Sequence, residues 1–521
     1  MKRLTLILTL VCSVSLFAQK PAMNYLIQLG GGSGATWTKT LGANDSIVDL
    51  TVAGKTLTAW LAGRTSWTTG DQVWIAAGTY TFTLQYNIGS GPSLATSYPS
   101  AIYGGFAGTE SVIADRAKGI NPWNYTNETI LDGSSSTNGI FNAGSDRTMT
   151  IDGLTFTNCT NTEGQAVYQR PNMLVQNCKF TNNACVALRY YISAASKTAT
   201  TSHCYFYNNT NAVASGAEGG CIMANNASSG GIYTVASCVF DSNSCTASGS
   251  GASAGIKAQG VGTTKITNCI FKKNNATAGN SSAVSLTAAT TNLINSVAYG
   301  TSLATNKTAL YVSAGSVINC TVVNNLGGGA YLSNTTSSTI NLINTVFWGT
   351  DAKSGQVTAA SGCLGNITNC SYNSLSTNFS GTVTNSVDLT TTTTGLFTDS
   401  TNNNWSLAPG SVLIDMGTST GAPTIDINGI NRPQGAGYDI GAYEYSLTAV
   451  NSPSVDSKPS FIRSGNQLTA LWGGKVTVFD VSGKILINKQ IHVGDHIRMG
   501  QGVYIVTLLT ATNKLIQKVA F

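Results

Sequence analysis

The sequence predicts an all-β protein: a right-handed parallel β-helix, which is a solenoid of short strands, followed by a small C-terminal β-sandwich. Two observations predict the solenoid. A nine-residue phrase recurs between Ile151 and Ser374, and the apolar residues of each copy change phase halfway through it. A third observation, alternating apolar and polar segments between Lys475 and Phe521, predicts the separate C-terminal sheets.

The recurring phrase contains one aromatic or apolar residue that marks each copy. The five strongest copies read IDGLTFTNC, VQNCKFTNN, TSHCYFYNN, VASCVFDSN and ITNCIFKKN, and four weaker copies follow. The marker recurs every 24 to 34 residues, at Phe156, Phe180, Phe206, Phe240, Phe271, Ala298, Val322, Phe347 and Tyr372. This spacing is typical of solenoid coils. A leucine-rich repeat is the alternative solenoid, but its leucine period is absent here.

A corner is predicted in the middle of each copy. A strand keeps one side-chain phase because its period is two residues, whereas the apolar set here shifts by three residues across a recurring asparagine. Asparagine tolerates the left-handed backbone that a corner requires. Stacked coils would hold these amides about 4.8 Å apart in a ladder. The predicted ladder is Asn177, Asn268, Asn295, Asn319, Asn344 and Asn369, with His203 and Ser237 in the same slot.

Cysteines follow the corners and predict a second inward column. The column consists of Cys178, Cys204, Cys238, Cys269, Cys320 and Cys370. Parallel side chains on adjacent coils hold Cβ atoms wider apart than the roughly 3.8 Å that a disulfide prefers. We therefore expect buried free thiols, with disulfides as the alternative for an exported chain. Zinc is not expected, because no CxxC pair occurs and the repeat region contains one histidine, His203.

The first 18 residues have the layout of a secretory signal peptide. Lys2 and Arg3 precede an apolar run that is too short to span a bilayer, and a small residue precedes Gln19. A lipoprotein site at Cys12 is the alternative, but Val11 stands where a small residue is needed. No other segment is long and apolar enough for a transmembrane helix.

Net charge argues against nucleic acid or an anionic membrane as a partner. The chain has 28 basic and 22 acidic residues. Subtracting the two basic residues of the leader, and the eight basic and three acidic residues after Leu447, leaves 18 basic against 19 acidic residues. Ser, Thr, Asn and Gly supply most of the remaining polarity. The body, residues 19–445, is therefore close to neutral and lacks the excess positive charge that binds phosphate groups.

The N-terminal part of the body resembles a known group of proteins. Residues 56–72 predict a short amphipathic helix that caps the first coil. The phrases GDQVWIAAGTY, IYGGFAGTE and TILDG follow. These phrases resemble the opening coils of secreted bacterial β-helix proteins of the polymorphic outer-membrane-protein and pectin-lyase-like type. The resemblance covers about 80 residues and implies the architecture rather than a chemistry.

An enzyme on this scaffold is the alternative to a binding protein. A polysaccharide lyase or glycoside hydrolase needs paired carboxylates, or an acidic metal site with a basic proton acceptor. The carboxylates Asp152, Glu163, Glu218 and Asp241 are scattered over different coils, and the polygalacturonase phrases NTD, DD, GHG and RIK are absent. Arg170, Arg189 and Lys257 are the basic residues best placed for a lyase. No catalytic residue is therefore predicted.

A long face of neutral polar groups remains, with occasional aromatic residues. Its aromatic members are Tyr168, Tyr190, Tyr191 and Tyr205. Such a face suits weak, multivalent binding of glycans or surface polysaccharide, and it equally suits a solenoid that only needs to stay hydrated. A groove lined by Tyr, Asn and Thr would favour binding, and a groove with three or more carboxylates would favour catalysis.

Residues 408–445 resemble the choice-of-anchor Q segment that closes many exported bacterial β-helices. The matching text is APGSVLIDMGTSTGAPTIDINGINRPQGAGYDIGAYEY. The resemblance implies a charge cluster of Asp415, Asp426, Arg432, Asp439 and Glu444. We expect this cluster to form a charge-paired cap over the final coil, in which Arg432 bridges two carboxylates. Calcium held by the carboxylates is the alternative. No cofactor is expected.

The end of the chain resembles a sorting domain. Residues 446–460 form a Ser- and Pro-containing linker, and residues 461–521 contain VFDVSGK, GVYIV and a basic final strand. This order resembles the type A C-terminal sorting domain of the type IX secretion system, a small immunoglobulin-like sandwich. An ordinary immunoglobulin-like binding module is the alternative. The implied sorting residues are Gly483, Lys484, Gly502, Tyr504 and Lys518.

Together these features predict the route and location of the protein. The resemblance implies passage through the periplasm and across the outer membrane by the type IX machinery. The body would then be displayed on the outer cell surface or released. We expect a scaffold for adhesion, glycan contact or cell-envelope structure.

Overall fold

Parallel β-sheets dominate the computed structural model of this chain. It describes residues 21–446 and 461–520, apart from gaps at 30–33, 51–54, 65, 89–97, 135–138, 145, 161–164, 193–195, 212–219, 247–251, 278–279, 289, 302–306, 335–339, 350–354, 393, 465–466, 471–473, 481–483, 493–494, 501 and 510–513. The predicted signal peptide, most of the linker and Gly483 lie outside the described residues. The chain forms two compact units, divided after Tyr445.

Three long sheets, each with every strand pair parallel, confirm the prediction of an all-β chain with the sheets of a parallel β-helix. The first sheet contains, in spatial order, Asp45–Asp49, Asn24–Gln28, Gln72–Ala76, Ala101–Phe106, Met149–Asp152, Met173–Gln176, Thr198–Ser202, Ile232–Ala236, Thr263–Thr267, Thr291–Ile294, Gly315–Ile318, Ile340–Ile343, Asn366–Thr368 and Thr382–Thr384. Its first two strands are stacked in reverse chain order.

The second and third sheets repeat with the same coil period. The second contains Gly78–Thr81, Thr129–Asp132, Leu154–Thr157, Lys179–Thr181, Tyr205–Tyr207, Val239–Asp241, Ile270–Lys272, Val297–Tyr299, Thr321–Val323, Val346–Trp348, Ser371–Tyr372 and Val387–Asp388. The third contains Tyr86–Ile88, Phe141–Ala143, Gln165–Gln169, Val186–Ile192, Ile222–Asn226, Ile256–Gly260, Val284–Leu286, Leu310–Val312, Ala330–Leu332, Gln356–Ala359 and Ser374–Leu375. A small parallel sheet joins Thr210–Asn211, Ser244–Cys245 and Asn275–Ala276.

The phenylalanines that mark the repeat stack above one another inside the solenoid. Phe180 and Phe206 have ring centroids 4.8 Å apart with planes 6° apart, and Phe206 and Phe240 are 4.7 Å apart. The other two described pairs, which involve Phe156 and Phe271, are similar. All five rings are buried. The spacing equals the distance between hydrogen-bonded strands, so each coil adds one ring to the column.

One helix lies at the N-terminal end of the core. It spans Leu57–Gly63 and begins where the Thr56 hydroxyl accepts a hydrogen bond from the Ala59 N–H at 3.1 Å. Leu57 and Leu61, one turn apart, are buried in the main core. The helix contacts Tyr86–Ile88, which is the terminal strand of the third sheet, and thereby covers apolar side chains at the end of the stack.

A second core lies on the outer face of the second sheet. Outward residues Val297, Val323, Val346 and Trp348 pack there against the closing segment, which we define as residues 389–445. The segment contains a two-stranded antiparallel hairpin, Phe397–Asp399 and Asn404–Leu407. Its residues Trp405 and Leu413 belong to the second core.

Besides the helix, the helical elements among the described residues are two 3₁₀ turns, Ile113–Asp115 and Ser400–Asn402.

The C-terminal unit is antiparallel. One sheet joins Phe461–Ser464, Gln467–Ala470 and His496–Arg498, and the other joins Ile485–Ile491, Gly474–Asp480, Val503–Leu509 and Lys514–Ala520. Leu468 and Ile497 of the first sheet share a buried cluster with Val476 and Val506 of the second. The unit therefore has a hydrophobic core of its own.

Candidate functional site

The predicted corner asparagines lie at turns between the first and second sheets. All six, together with His203 and Ser237, have φ between 48° and 53°, in the left-handed region. Amide bonds between coils are intermittent: Asn295 donates to Asn268 at 2.7 Å and Asn344 donates to Asn319 at 3.1 Å. Asn177 donates instead to Asp152 at 3.0 Å. Each predicted corner asparagine therefore adopts the left-handed backbone conformation, but only some of them also form an amide hydrogen bond to the asparagine of the neighbouring coil.

A continuous ladder exists at the next corner, where the sequence analysis did not place one. Its members, the inner ladder, are Asn183, Asn209, Asn243 and Asn274. Asn183, Asn209 and Asn243 each donate to the amide oxygen of the next member at 2.9 Å, and all four donate to the carbonyl of the marker phenylalanine one coil earlier, at 2.8 to 3.1 Å. All four are buried. The signal was present, because every one of these residues ends a copy of the phrase.

The six column cysteines are buried, and each thiol donates to the carbonyl two residues earlier, as Cys178 does to Gln176 at 3.1 Å. None of the eleven cysteines from Cys159 to Cys370 forms a disulfide. Burial raises the pKa of Cys320 and Cys370 to about 12. The column thiols act as small apolar core residues, and Cys320 and Cys370 hold little of the reactive thiolate at neutral pH.

The acidic and basic residues of the closing segment form one buried network. Arg432 and Glu444 make an ion pair at 2.7 Å with both side chains fully buried. Asp439 accepts backbone hydrogen bonds from Asp415 and Tyr445. Asp426 accepts hydrogen bonds from backbone N–H groups of residues 428, 430 and 444, and Asp415 accepts one from residue 437. Arg432 thus pairs with one carboxylate rather than two, and backbone N–H groups satisfy the others.

The closing segment follows the corner column along the side of the stack. Met416, Thr418 and Gly441 accept hydrogen bonds through their carbonyls from Asn369, Asn344 and Asn319, in that order. Arg432 donates to the Asn295 amide oxygen at 3.3 Å. At Gly441, φ is 112° and a side chain would come within 2.9 Å of the Thr321 hydroxyl. The segment therefore hydrogen-bonds to four coils along the side of the stack instead of covering the last coil.

The implied sorting residues lie in the C-terminal unit. Lys484 directly precedes a strand, and its N–H donates to the Asp480 carboxylate at 3.0 Å. Gly502 has φ of 151° and stands directly before the strand that contains Tyr504. Lys518 belongs to the last strand. Gly483 lies outside the described residues.

The described carboxylates that an enzyme would need are engaged in structural contacts. Asp152 pairs with Arg116 at 3.1 Å and accepts hydrogen bonds from the Tyr125 hydroxyl and the Gln176 amide. Asp241 pairs with Lys272 at 3.0 Å. Glu163 and Glu218 lie outside the described residues. Among the described residues, no group of three or more His, Cys, Asp or Glu side chains could hold a metal ion.

The basic residues considered for a lyase lie on the outer face of the third sheet. Arg170 stacks its guanidinium 5.0 Å from the Tyr168 ring and 5.1 Å from the Tyr191 ring, and Arg189 lies 5.8 Å from Tyr168. Lys257, also on this face, is buried. Neighbouring rings or packing hold these basic side chains in place. Among the described residues, no cluster of carboxylates lies beside them.

Tyr190 corrects one expectation about the polar face. It was expected on the surface, but it is fully buried and stacks on Tyr233 with centroids 3.9 Å apart. The reason is strand alternation: Tyr190 pairs in register with inward Gln169, whereas Tyr168 and Tyr191 take outward positions. Tyr205 is outward on the second sheet, because its neighbour Phe206 faces the core.

A groove on the outer face of the third sheet has the lining that was expected of a binding protein. Tyr311 and Tyr331 occupy adjacent outward positions, with ring centroids 5.9 Å apart and planes 21° apart. The space above them is about 470 Å³. The other described side chains that line it are Asn280, Lys307, Thr308 and Ser333, and no carboxylate is among them. Exposed Lys307 is the one charged group of this described lining.

A smaller cleft of about 250 Å³ lies near the N-terminal coils. Trp67, Tyr98 and Asn172 line it together with several threonines, and no carboxylate is among its described lining residues. Both clefts thus present aromatic rings and hydrogen-bonding groups, and Lys307 adds a charged group to the groove.

No helix among the described residues has the length and apolar character needed to cross a bilayer.

Comparison with known proteins gives no match to a family model, to a curated protein or to a solved structure. The class defined by fold and site is a β-solenoid with a tyrosine-lined groove. Its function is argued below from that geometry.

Proposed function

We propose that this chain is an exported, non-enzymatic β-helix that binds glycans through the Tyr311–Tyr331 groove. The single observation that supports this function is a pair of stacked, outward tyrosines in a groove whose described lining contains no carboxylate. Tyrosine rings offer large rigid surfaces to the apolar faces of sugar rings, and their hydroxyls stay hydrated. The groove would serve adhesion, glycan contact or cell-envelope structure.

The polar lining fits the hydroxyl groups of a sugar. Asn280 supplies an amide donor and acceptor, and Thr308 and Ser333 supply hydroxyls. Lys307 adds an ammonium group that can donate to a hydroxyl or a carboxylate. A hydrolase or lyase would need an acid or base within reach of the bound sugar, and the lining residues that the structure describes include neither a carboxylate nor a histidine. Binding without cleavage is the function that this chemistry favours.

The proposal includes a route to the cell surface. The resemblances favour a right-handed helix closed by a choice-of-anchor Q segment and an immunoglobulin-like sorting domain read by the type IX machinery. A C-terminal unit with two antiparallel sheets and its own core supports a separable domain of this kind. We propose that the body is displayed on the outer surface or released after passage through the periplasm.

Glycan binding is tested with the full chain and two variants of the groove. A glycan array first identifies the polysaccharides that the unmodified chain binds. Tyr331→Ala should weaken binding to these polysaccharides by about tenfold, because one aromatic contact is lost. Tyr331→Phe keeps the ring and should bind within about twofold of the unmodified chain. Lys265→Ala, an exposed change on the first sheet, is the matched control. Equal affinity of Tyr331→Ala and the unmodified chain would remove the groove from the function.

The enzyme alternative is tested in the same material. Incubation with uronic-acid polymers and neutral polysaccharides should release no new reducing ends and no unsaturated products. Release of either product by the full chain would overturn the non-enzymatic proposal.

A further inference from the structure

Three aromatic rings form a row on the outer face of the second sheet, away from the groove. The row consists of Trp123, Tyr205 and Tyr207. Trp123 and Tyr205 have centroids 5.6 Å apart and planes 8° apart, and Tyr205 and Tyr207 are 5.8 Å apart with planes 10° apart. Tyr207 is 41% exposed. Among the described residues, Tyr205 is the one ring that stacks on Tyr207, and the exposed part of the Tyr207 ring is accessible to a ligand.

The row is held rigidly before any ligand arrives. The Tyr205 hydroxyl donates to Asp241 at 2.9 Å, and Asp241 pairs with Lys272 at 3.0 Å. Trp123 belongs to the loop between residues 116 and 127 and closes the far side of Tyr205. Rigid aromatic side chains lose little conformational entropy on binding, which favours their use as contact surfaces.

Charges around the row cancel in pairs. Lys179 lies one coil before Tyr205 in the same column and pairs with Glu128 at 3.0 Å. Asp241 lies one coil after Tyr207 and is paired with Lys272. These two ion pairs neutralise the charged side chains that adjoin Tyr205 and Tyr207 in register, so a neutral ligand suits this part of the surface best.

Hydrogen-bonding groups flank the Tyr207 ring. Asn208 directly follows Tyr207 and donates to Asn182 of the preceding coil at 2.7 Å on the exposed corner. The Asp241 carboxylate stands beside Tyr207 on the next coil. An aromatic face with an amide and a carboxylate at its edge matches a sugar ring, which has an apolar face and a rim of hydroxyls.

We propose that the aromatic row is a second glycan-binding surface, specific for neutral hexopyranose or pentopyranose polymers. It lies on a different sheet from the groove and shares no residue with it, so it goes beyond the proposed function. Two sites on two faces give the chain two points of attachment, and a polymer or two polymers held at both would bind with avidity.

The test removes the groove first. In the full chain that carries Tyr311→Ala and Tyr331→Ala, we measure binding to a soluble glucan, mannan, galactan and xylan by affinity electrophoresis and calorimetry. At least one polymer should bind. Adding Tyr207→Ala should weaken that binding by about tenfold, and adding Tyr207→Phe should change it by less than about twofold.

Two controls separate recognition from loop packing. Ile120→Ala changes an exposed apolar residue of the Trp123 loop and should leave binding unchanged. The unfolding temperature of the Tyr207→Ala protein should fall only slightly below that of its parent, because the partly exposed ring loses its stacking contact with Tyr205 and the strand is otherwise unchanged. Ligand should also quench tryptophan fluorescence in the parent and not in Trp123→Phe.

Three results would overturn the inference. They are binding of none of the four polymers by the groove-less chain, unchanged binding after Tyr207→Ala, or binding of a single-stranded RNA oligomer through the row instead of a glycan. The groove variants in the otherwise unmodified chain report on the proposed function separately. Failure of one site is therefore distinguishable from failure of the other.

Discussion

The inner ladder shows how one residue type meets two different demands in this chain. At the first corner an asparagine faces outward and supplies a left-handed backbone. At the second corner Asn183, Asn209, Asn243 and Asn274 face inward and satisfy backbone groups that the turn leaves unpaired. A buried amide is tolerated only when its donors and acceptor are all engaged. The ladder meets that condition by repetition.

Removal of one amide from the inner ladder should be costly. Asn243→Ala removes the partner of three groups: the Phe206 carbonyl, the Asn209 backbone N–H and one N–H of the Asn209 side-chain amide. We expect a loss of about 2–4 kcal/mol in the free energy of unfolding, since buried groups are left unsatisfied. Chemical denaturation monitored by circular dichroism measures it.

The matched control is Asn366→Ala, which removes an exposed amide that donates to Asn341 at 3.1 Å. Water replaces the lost partner there, so the change should stay within about 0.5 kcal/mol. Similar losses for the two variants would show that burial of the inner ladder is unimportant for stability.

Among the elements of the fold, the thiol column illustrates packing without chemistry. Strand stacking aligns Cys178, Cys204, Cys238 and Cys269 one above another, and every sulfur is buried. Their backbones are as close as those of bridged cysteines, but the side chains run parallel instead of converging. Burial excludes oxidants from the sulfurs, so such thiols can stay reduced even in an oxidising compartment.

Alkylation should reveal this protection. At pH 8 the folded chain should react with iodoacetamide at none of the eleven cysteines from Cys159 to Cys370, because all of them are buried and the fold excludes the reagent. In denaturant without reductant all eleven should react, and mass spectrometry counts the labels. Fewer than eleven labels in denaturant would mean that disulfides are present after all.

The closing segment is a second element whose stability depends on one buried ion pair. Glu444→Gln leaves the Arg432 guanidinium buried and uncompensated, and we expect a loss of about 3–5 kcal/mol. The double variant Arg432→Met with Glu444→Gln removes both charges and should recover part of that loss. Thermal unfolding of the unmodified chain, Glu444→Gln and the double variant measures the loss and the recovery. If the double variant is less stable than Glu444→Gln alone, the isolated charge is not the cause.

The whole molecule joins two units of different construction. The solenoid grows by addition of coils, each stabilised by its neighbours, whereas the C-terminal unit closes its own small core. Such units fold separately when few contacts join them. The division after Tyr445 falls beside the linker expected from the sequence.

Deletion of residues 449–521 should separate folding from export. We expect the truncated body to unfold at the same temperature as in the full chain, because its cores remain complete. It should accumulate in the periplasm instead of reaching the surface or medium, as fractionation and immunoblotting would show. A reporter that carries the leader and residues 446–521 should reach the medium. Surface delivery of the truncated chain would contradict the proposed route.

The sequence by itself determined the repeat, the corners and the inward phenylalanine and cysteine columns. It could do so because period and phase are properties of local covalent geometry. Only the tertiary structure decided that Tyr190 is buried, that the continuous ladder lies at the second corner, and that the closing segment hydrogen-bonds to four coils. It also brought Tyr311 beside Tyr331 and Trp123 beside Tyr205. Those contacts join residues of different coils and loops, and their proximity depends on how the coils stack rather than on their spacing along the chain.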